Sequence, residues 1–186
     1  NAFQIQDILK QRAKKAFKEE SLLPGVIEKC SAYAAREHGD ARRALELLRV
    51  AGELAERSGL SNVEVSHIDE AEEKIERDRT IDLIATQPKQ LQSILYCILT
   101  INTKEKEIFT GEVYDIYKGV CSKIGLRPLT QRRVSDIIAE LDMLGIINVK
   151  VISKGRYGRT RKISMATQPS IEDKMRASLQ KELGLV

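Results

Sequence analysis

Apolar positions recur at helical spacing through the first half of the chain. Ile5, Ile8, Leu9, Ala13 and Phe17 fall on one stripe and predict a helix over residues 4–19. Leu22-Leu23-Pro24-Gly25 interrupts the stripe. Pro24 suits the first turn of a second helix running to about Glu37, with Val26, Ile27, Cys30, Tyr33 and Ala34 inward. His38-Gly39 ends that helix, because glycine accepts the left-handed cap conformation. Asp40 is placed to cap a long third helix through Ala44, Leu45, Leu48, Ala51 and Leu54, which Ser58-Gly59 closes. Ser66-His67-Ile68-Asp69 has the form of a capping box and opens a fourth, highly charged helix to about Ala85.

Thr86-Gln87-Pro88 is a break, and it sets the expected division between a first domain, 1–86, and a second, 87–186. Beyond it, Leu91, Ile94, Leu95, Ile98 and Leu99 predict one amphipathic helix. Val113, Ile116, Tyr117, Val120, Cys121 and Ile124 predict another, starting at Thr110. Pro128-Leu129-Thr130 starts a third, with Val134, Ile137, Ile138 and Leu141 inward, and Gly145 stops it. Ile146 to Ile152 read as a strand that Arg161 to Met165 pair back against, and residues 170–183 read as a closing helix. Three helices followed by a β-hairpin is the order of a winged helix, whose third helix enters the major groove in the helix-turn-helix manner. The fold class expected is therefore mainly α: a four-helix bundle, then a winged helix.

Composition narrows this little. The 186 residues are 42% hydrophobic and 31% charged with no Trp, so the cores must be aliphatic. No apolar run approaches the roughly 20 residues of a membrane span, and no signal peptide opens the chain, so no membrane partner is expected. Cys30, Cys97 and Cys121 lack CxxC spacing and read as buried free thiols, which favours a reducing compartment. The opening residue is Asn1 rather than Met, as in a piece of a longer protein, whether truncated by design or by proteolysis.

Charge changes the picture more. Residues 1–86 carry 14 Lys and Arg against 17 Asp and Glu, −3; residues 87–186 carry 17 against 10, +7. No acid lies between Asp142 and Glu172, and the hairpin tip gathers Lys154, Arg156, Arg159, Arg161 and Lys162. Solvated turns usually mix signs, so this one points to a polyanion. Gly155 and Gly158 permit a tight turn and close backbone approach. Arginine suits a narrow minor groove, and Tyr157 can lay its ring on a sugar edge. Four such cations on phosphates would make log K fall with log salt at a slope of about −3.6. On the third helix, Thr130, Gln131, Arg132 and Ser135 are placed outward near the N-terminus, with Arg133 on the flank beside Asp136 and Glu140. Arginine pairs with guanine and glutamine with adenine.

Gly39-Asp40-Ala41-Arg42-Arg43-Ala44-Leu45-Glu46-Leu47-Leu48 resembles the second-sensor helix of AAA+ ATPase lids, Gly-Asp-x-Arg-Arg-Ala-x-x-x-Leu. The resemblance implies that Arg42 reaches nucleotide phosphates, for which its planar, always-charged fork is suited. Joined to Ile8-Leu9-Lys10-Gln11-Arg12-Ala13 with Ala16-Phe17, the helix from Ser66 and the Arg-rich wing, the stretch makes nearly the whole chain similar to the C-terminal part of the archaeal replication-initiator family, counterpart of the eukaryotic origin-recognition and helicase-loader proteins. That resemblance implies a cytoplasmic, nucleoid-associated protein that binds double-stranded origin DNA and recruits the replicative MCM helicase. It also implies action beside other initiator copies and, in the full-length form, ATP or ADP held with magnesium.

One departure qualifies this. The chain contains no G-x-x-x-x-G-K-S/T, and none of its glycines precedes a lysine, so no nucleotide cofactor and no ATPase activity are expected of these residues alone. Ile68-Asp69-Glu70 looks superficially like an acidic metal-holding motif but follows no apolar strand, so no metal is expected. His38 and His67 are the only histidines and have no nucleophile set to serve, so no catalytic residues are expected. Three other readings remain: an AAA+ branch-migration motor, a transcription regulator dimerising through residues 1–86, and a protein-interaction module with an incidental basic tip.

Overall fold

The computed structural model describes residues 2–36, 39–102, 107–153 and 159–185, with the side chain of Arg159 left out. The sequence-predicted residues His38, Lys154, Gly155, Arg156, Tyr157 and Gly158 lie outside them. The chain divides into two compact units, residues 1–78 and 79–186.

The first unit holds α1 (Ala2–Ala16), α2 (Val26–Arg36), α3 (Ala41–Arg57) and most of α4 (Val65–Ala85). Ile5, Leu9, Val26, Cys30, Ala34, Leu47, Ala51, Ile68 and Ala71 form its buried core. α1 ends at Ala16, three residues before the expected end, and Phe17 folds against α3. A Cβ on Gly52 would stand 2.9 Å from the Phe17 ring, so a glycine in mid-helix is what lets the ring in. Pro24 sits in a turn rather than in the helix, because Gly25 takes φ +91°.

The expected capping box at Ser66 is replaced by another cap. α4 begins at Val65. His67 Nδ1 accepts from the Glu64 backbone N–H at 2.9 Å, so the third helical residue reaches back as the Glu of a capping box would. The Asp69 carboxylate serves instead as acceptor for Lys29 Nζ at 2.7 Å and the Tyr33 hydroxyl at 2.8 Å.

The second unit contains the end of α4, α5 (Lys89–Ile101), β1 (Ile108–Phe109), α6 (Thr110–Ile124), α7 (Gln131–Met143), β2 (Ile147–Ser153), β3 (Arg159–Met165) and α8 (Pro169–Leu183). The division between units falls at 78/79, within α4, whereas the expected break at Thr86-Gln87-Pro88 follows that helix. Gln92, buried in α5, donates to the carbonyls of Ile84 and Ala85 at 3.1 and 3.0 Å and so caps the last turn of α4.

The three strands form one antiparallel sheet in the order β1-β3-β2. Ile147 pairs with Met165, Val149 with Ile163, and Ser153 with Arg159. The short strand β1, absent from the sequence expectation, pairs Ile108 with Ile163. Ile94, Ile98, Val113, Tyr117, Val134, Ile138, Leu141, Ile147 and Ile163 bury the core between helices and sheet, and α8 adds Met175 and Leu179. Cys30, Cys97 and Cys121 are buried free thiols, and burial pushes the first two up to about 12.

Candidate nucleic-acid interface

The turn that presents α7 is built from α5 and α6. The Tyr117 hydroxyl accepts from the Leu129 backbone N–H at 3.1 Å and donates to Gln90 Oε1. Gln90 Nε2 in turn donates to the Arg127 carbonyl at 3.0 Å. Burial holds the Tyr117 phenol up to about 12, so it remains a donor at any physiological pH. The start of α7 is therefore tied to α5 and α6 by a polar network that runs from the buried Tyr117 to the surface.

Thr130 caps the helix, its hydroxyl accepting from the Arg133 N–H at 3.3 Å. With Val134, Ile137, Ile138 and Leu141 buried, Gln131, Arg132 and Arg133 are left exposed on the first turn. Arg133 lies 3.4 Å from Glu140 and 4.0 Å from Asp136, with its side chain 54% exposed. Pairs that exposed contribute under about 1 kcal/mol, so the guanidinium is readily released to another anion. Ser135 is only partly buried, and its carbonyl is engaged.

β2 and β3 form the hairpin expected of the wing, and β3 begins at Arg159, two residues before the expected Arg161. Two of the cations assigned to the wing from sequence have partners within the chain. Arg161 Nη1 donates to the Ser135 carbonyl in α7. Lys162 Nζ pairs with Glu107, beside β1.

In the first unit, Asp40 caps α3 by accepting from the Arg42 N–H at 2.8 Å, which leaves the Arg42 side chain exposed at the helix start. The next residue differs entirely. Arg43 is 5% exposed, and its Nη2 donates to Glu72 at 2.8 Å and Glu76 at 3.0 Å.

Residues 82–174 match the family described as CDC6, C terminal winged helix domain, and residues 6–73 match the Cdc6 AAA+ ATPase-type lid domain. The chain belongs to the ORC1/Cdc6 family of DNA replication proteins. It is 56% identical over 170 residues to the ORC1-type DNA replication protein of Thermococcus onnurineus, covering 91% of this chain and 41% of that protein. It is 50% identical over 185 residues to ORC1-type DNA replication protein 1 of Archaeoglobus fulgidus, covering 100% of this chain and 44% of that one. The structure of the Aeropyrum pernix ORC1 protein in complex with DNA matches with a TM-score of 0.77 at 45% identity, over 97% of this chain and 47% of that chain. The chain thus spans less than half the length of these relatives.

The two ORC1/Cdc6 modules are an AAA+ lid and a winged helix, the mainly α fold read from sequence. For the nucleotide implied by the lid, the exposed Arg42 guanidinium at a helix start fits a phosphate, whereas Arg43 is committed to carboxylates. Among the described residues no cluster of His, Cys, Asp and Glu could hold a metal ion, and no described helix is long and apolar enough to cross a membrane. Sequence reasoning missed Tyr117, Gln90 and Glu107 as partners of the turn before α7 and of β3. Tyr117 looked like one more core position of its helix, and only the fold brings the other two near.

Proposed function

We propose that this chain binds duplex origin DNA through its winged helix. In this reading α7 enters the major groove and the β2–β3 hairpin lies along the backbone or in the adjacent groove. The observation that carries the reading is the pairing of two cationic elements in one unit. The exposed first turn of α7 presents Gln131, Arg132 and Arg133, and the hairpin beside it belongs to a stretch without a single acid from 143 to 171. The likeness to a solved ORC1 protein in complex with DNA supports it.

Gln131 and Arg132 would read base edges, with Thr130 and Ser135 flanking them. Arg133 and the tip residues Lys154, Arg156, Tyr157, Gly158 and Arg159 would hold sugar and phosphate. In the full-length protein, Arg42 would supply one guanidinium to the phosphates of ATP or ADP bound with magnesium on the ATPase core, and the initiator would recruit the MCM helicase and act beside other initiator copies on the nucleoid.

Two substitutions test the division of labour. Arg156→Ala should weaken origin and random duplex to the same extent, as loss of a phosphate contact does. Arg132→Ala should weaken the origin duplex more than the random one. Equal losses from Arg132→Ala would remove that residue from base reading.

A further inference from the structure

Arg161 is the second described side chain from the hairpin tip along β3, where a phosphate contact is expected. Strand parity sets it on the face that carries the core, at the end where that face opens to solvent beside the 65% exposed Val151. Residues alternate faces along β3, so Arg161 shares a face with Ile163, which is buried, and with Met165, which packs against the core. Its partner across the ladder is Val151, and its guanidinium reaches the carbonyl of Ser135, the fifth residue of α7. A helical carbonyl has two lone pairs, so the Ser135 oxygen can serve the helix ladder and Arg161 together. Lys162 occupies the opposite face and is paired with Glu107. The start of α7 is already held by Tyr117 and Gln90 from the side of α6 and α5. Arg161 adds a tie from the hairpin side, and it joins the two elements that must engage DNA at once.

We propose that Arg161 is a positioning residue. It locks the hairpin to α7 through the Ser135 carbonyl, fixes the spacing and angle between wing and groove-reading helix, and takes no phosphate itself. This rests on the reading that the winged helix binds duplex DNA. A base-reading helix and a wing held as one body lose less freedom on docking, and they reject a site that fits only one of them. The consequence is that Arg161 acts on sequence discrimination rather than on counterion release.

The test compares the wild-type chain with Arg161→Met, which keeps the apolar stem and removes charge and donors. Fluorescence anisotropy would be read on an origin-repeat duplex and a scrambled duplex across a salt series. The positioning role predicts an unchanged slope of log K against log salt. It also predicts that the preference for origin over scrambled duplex falls about tenfold, comparable with misplacing one good base contact. A slope reduced by about 0.9 with both duplexes weakened equally would make Arg161 a phosphate ligand and overturn the proposal. No change in either quantity would overturn it as well. If thermal unfolding shows that the methionine variant is not folded, Arg161→Gln, which keeps an N–H donor without charge, carries the same comparison. Failure of the wild-type chain to bind either duplex would instead remove the DNA reading, and this inference with it.

Discussion

Arg43 and Glu72 form an ion pair at 2.8 Å in which the arginine is almost completely buried. Arg42, one residue earlier, is exposed. Two adjacent arginines in one motif therefore sit differently: Arg43 ties α3 to α4, and the Arg42 side chain stays at the surface. Removing Arg43 takes away the guanidinium that Glu46, Glu72 and Glu76 share. Arg43→Ala should destabilise the first unit by roughly 1–3 kcal/mol, less than for a fully buried pair because the carboxylates keep some water. Arg42→Ala should stay within about 0.5 kcal/mol of wild type. Urea unfolding of the two variants checks both values.

Tyr117→Phe tests the support of α7. The substitution keeps the ring and leaves the Leu129 N–H without its acceptor, at a cost of about 1–3 kcal/mol. It should also weaken DNA binding although the residue is fully buried, because the turn before α7 loses its anchor. Normal stability together with normal binding would show that the turn is held without the hydroxyl.

Asp69 couples the lid to pH. Donation from Lys29, and then from the Tyr33 hydroxyl, holds its carboxyl below the ordinary range. A depressed folded pKa contributes stability above the unfolded value near 3.9, and that stability is lost as the pH falls through the lower folded value. Tyr33 moves the other way, raised chiefly by its hydrogen bond to Asp69. Its contribution is present below about pH 10 and fades as the pH rises through the folded value. Asp69→Asn should flatten the acid limb of the stability profile, and thermal melts between about pH 2 and 6 would show it.

Much of the architecture was legible because long amphipathic periods dominate it. The stripes on α5, α6 and α7 mark their core faces directly, and the acid-free hairpin is visible as composition alone. β1 was not legible: two residues, Ile108 and Phe109, cannot display alternation, and their pairing with β3 depends on contacts far apart in sequence. The cap of α4 was misread because His67 supplies an acceptor where the usual signature asks for Glu or Gln. Arg161 was grouped with the tip cations on charge alone, and its hydrogen bond to the Ser135 carbonyl could not be read that way. Its alternation with Ile163 and Met165 was in the sequence and puts it on their face of the sheet, where it is half-buried. Arg42 and Arg43 cannot be told apart by motif, since only the packing of α4 against α3 decides which one is buried.

The most direct measurement is the affinity of this chain, by fluorescence anisotropy, for an origin-repeat duplex, a scrambled duplex and a four-way junction across a salt series. With Lys154, Arg156 and Arg159 on phosphates, the account predicts tightest binding to the origin duplex and a slope of log K against log salt of about −2.7 or steeper. Undetectable or salt-insensitive binding to all three would contradict it, and so would a preference for the junction.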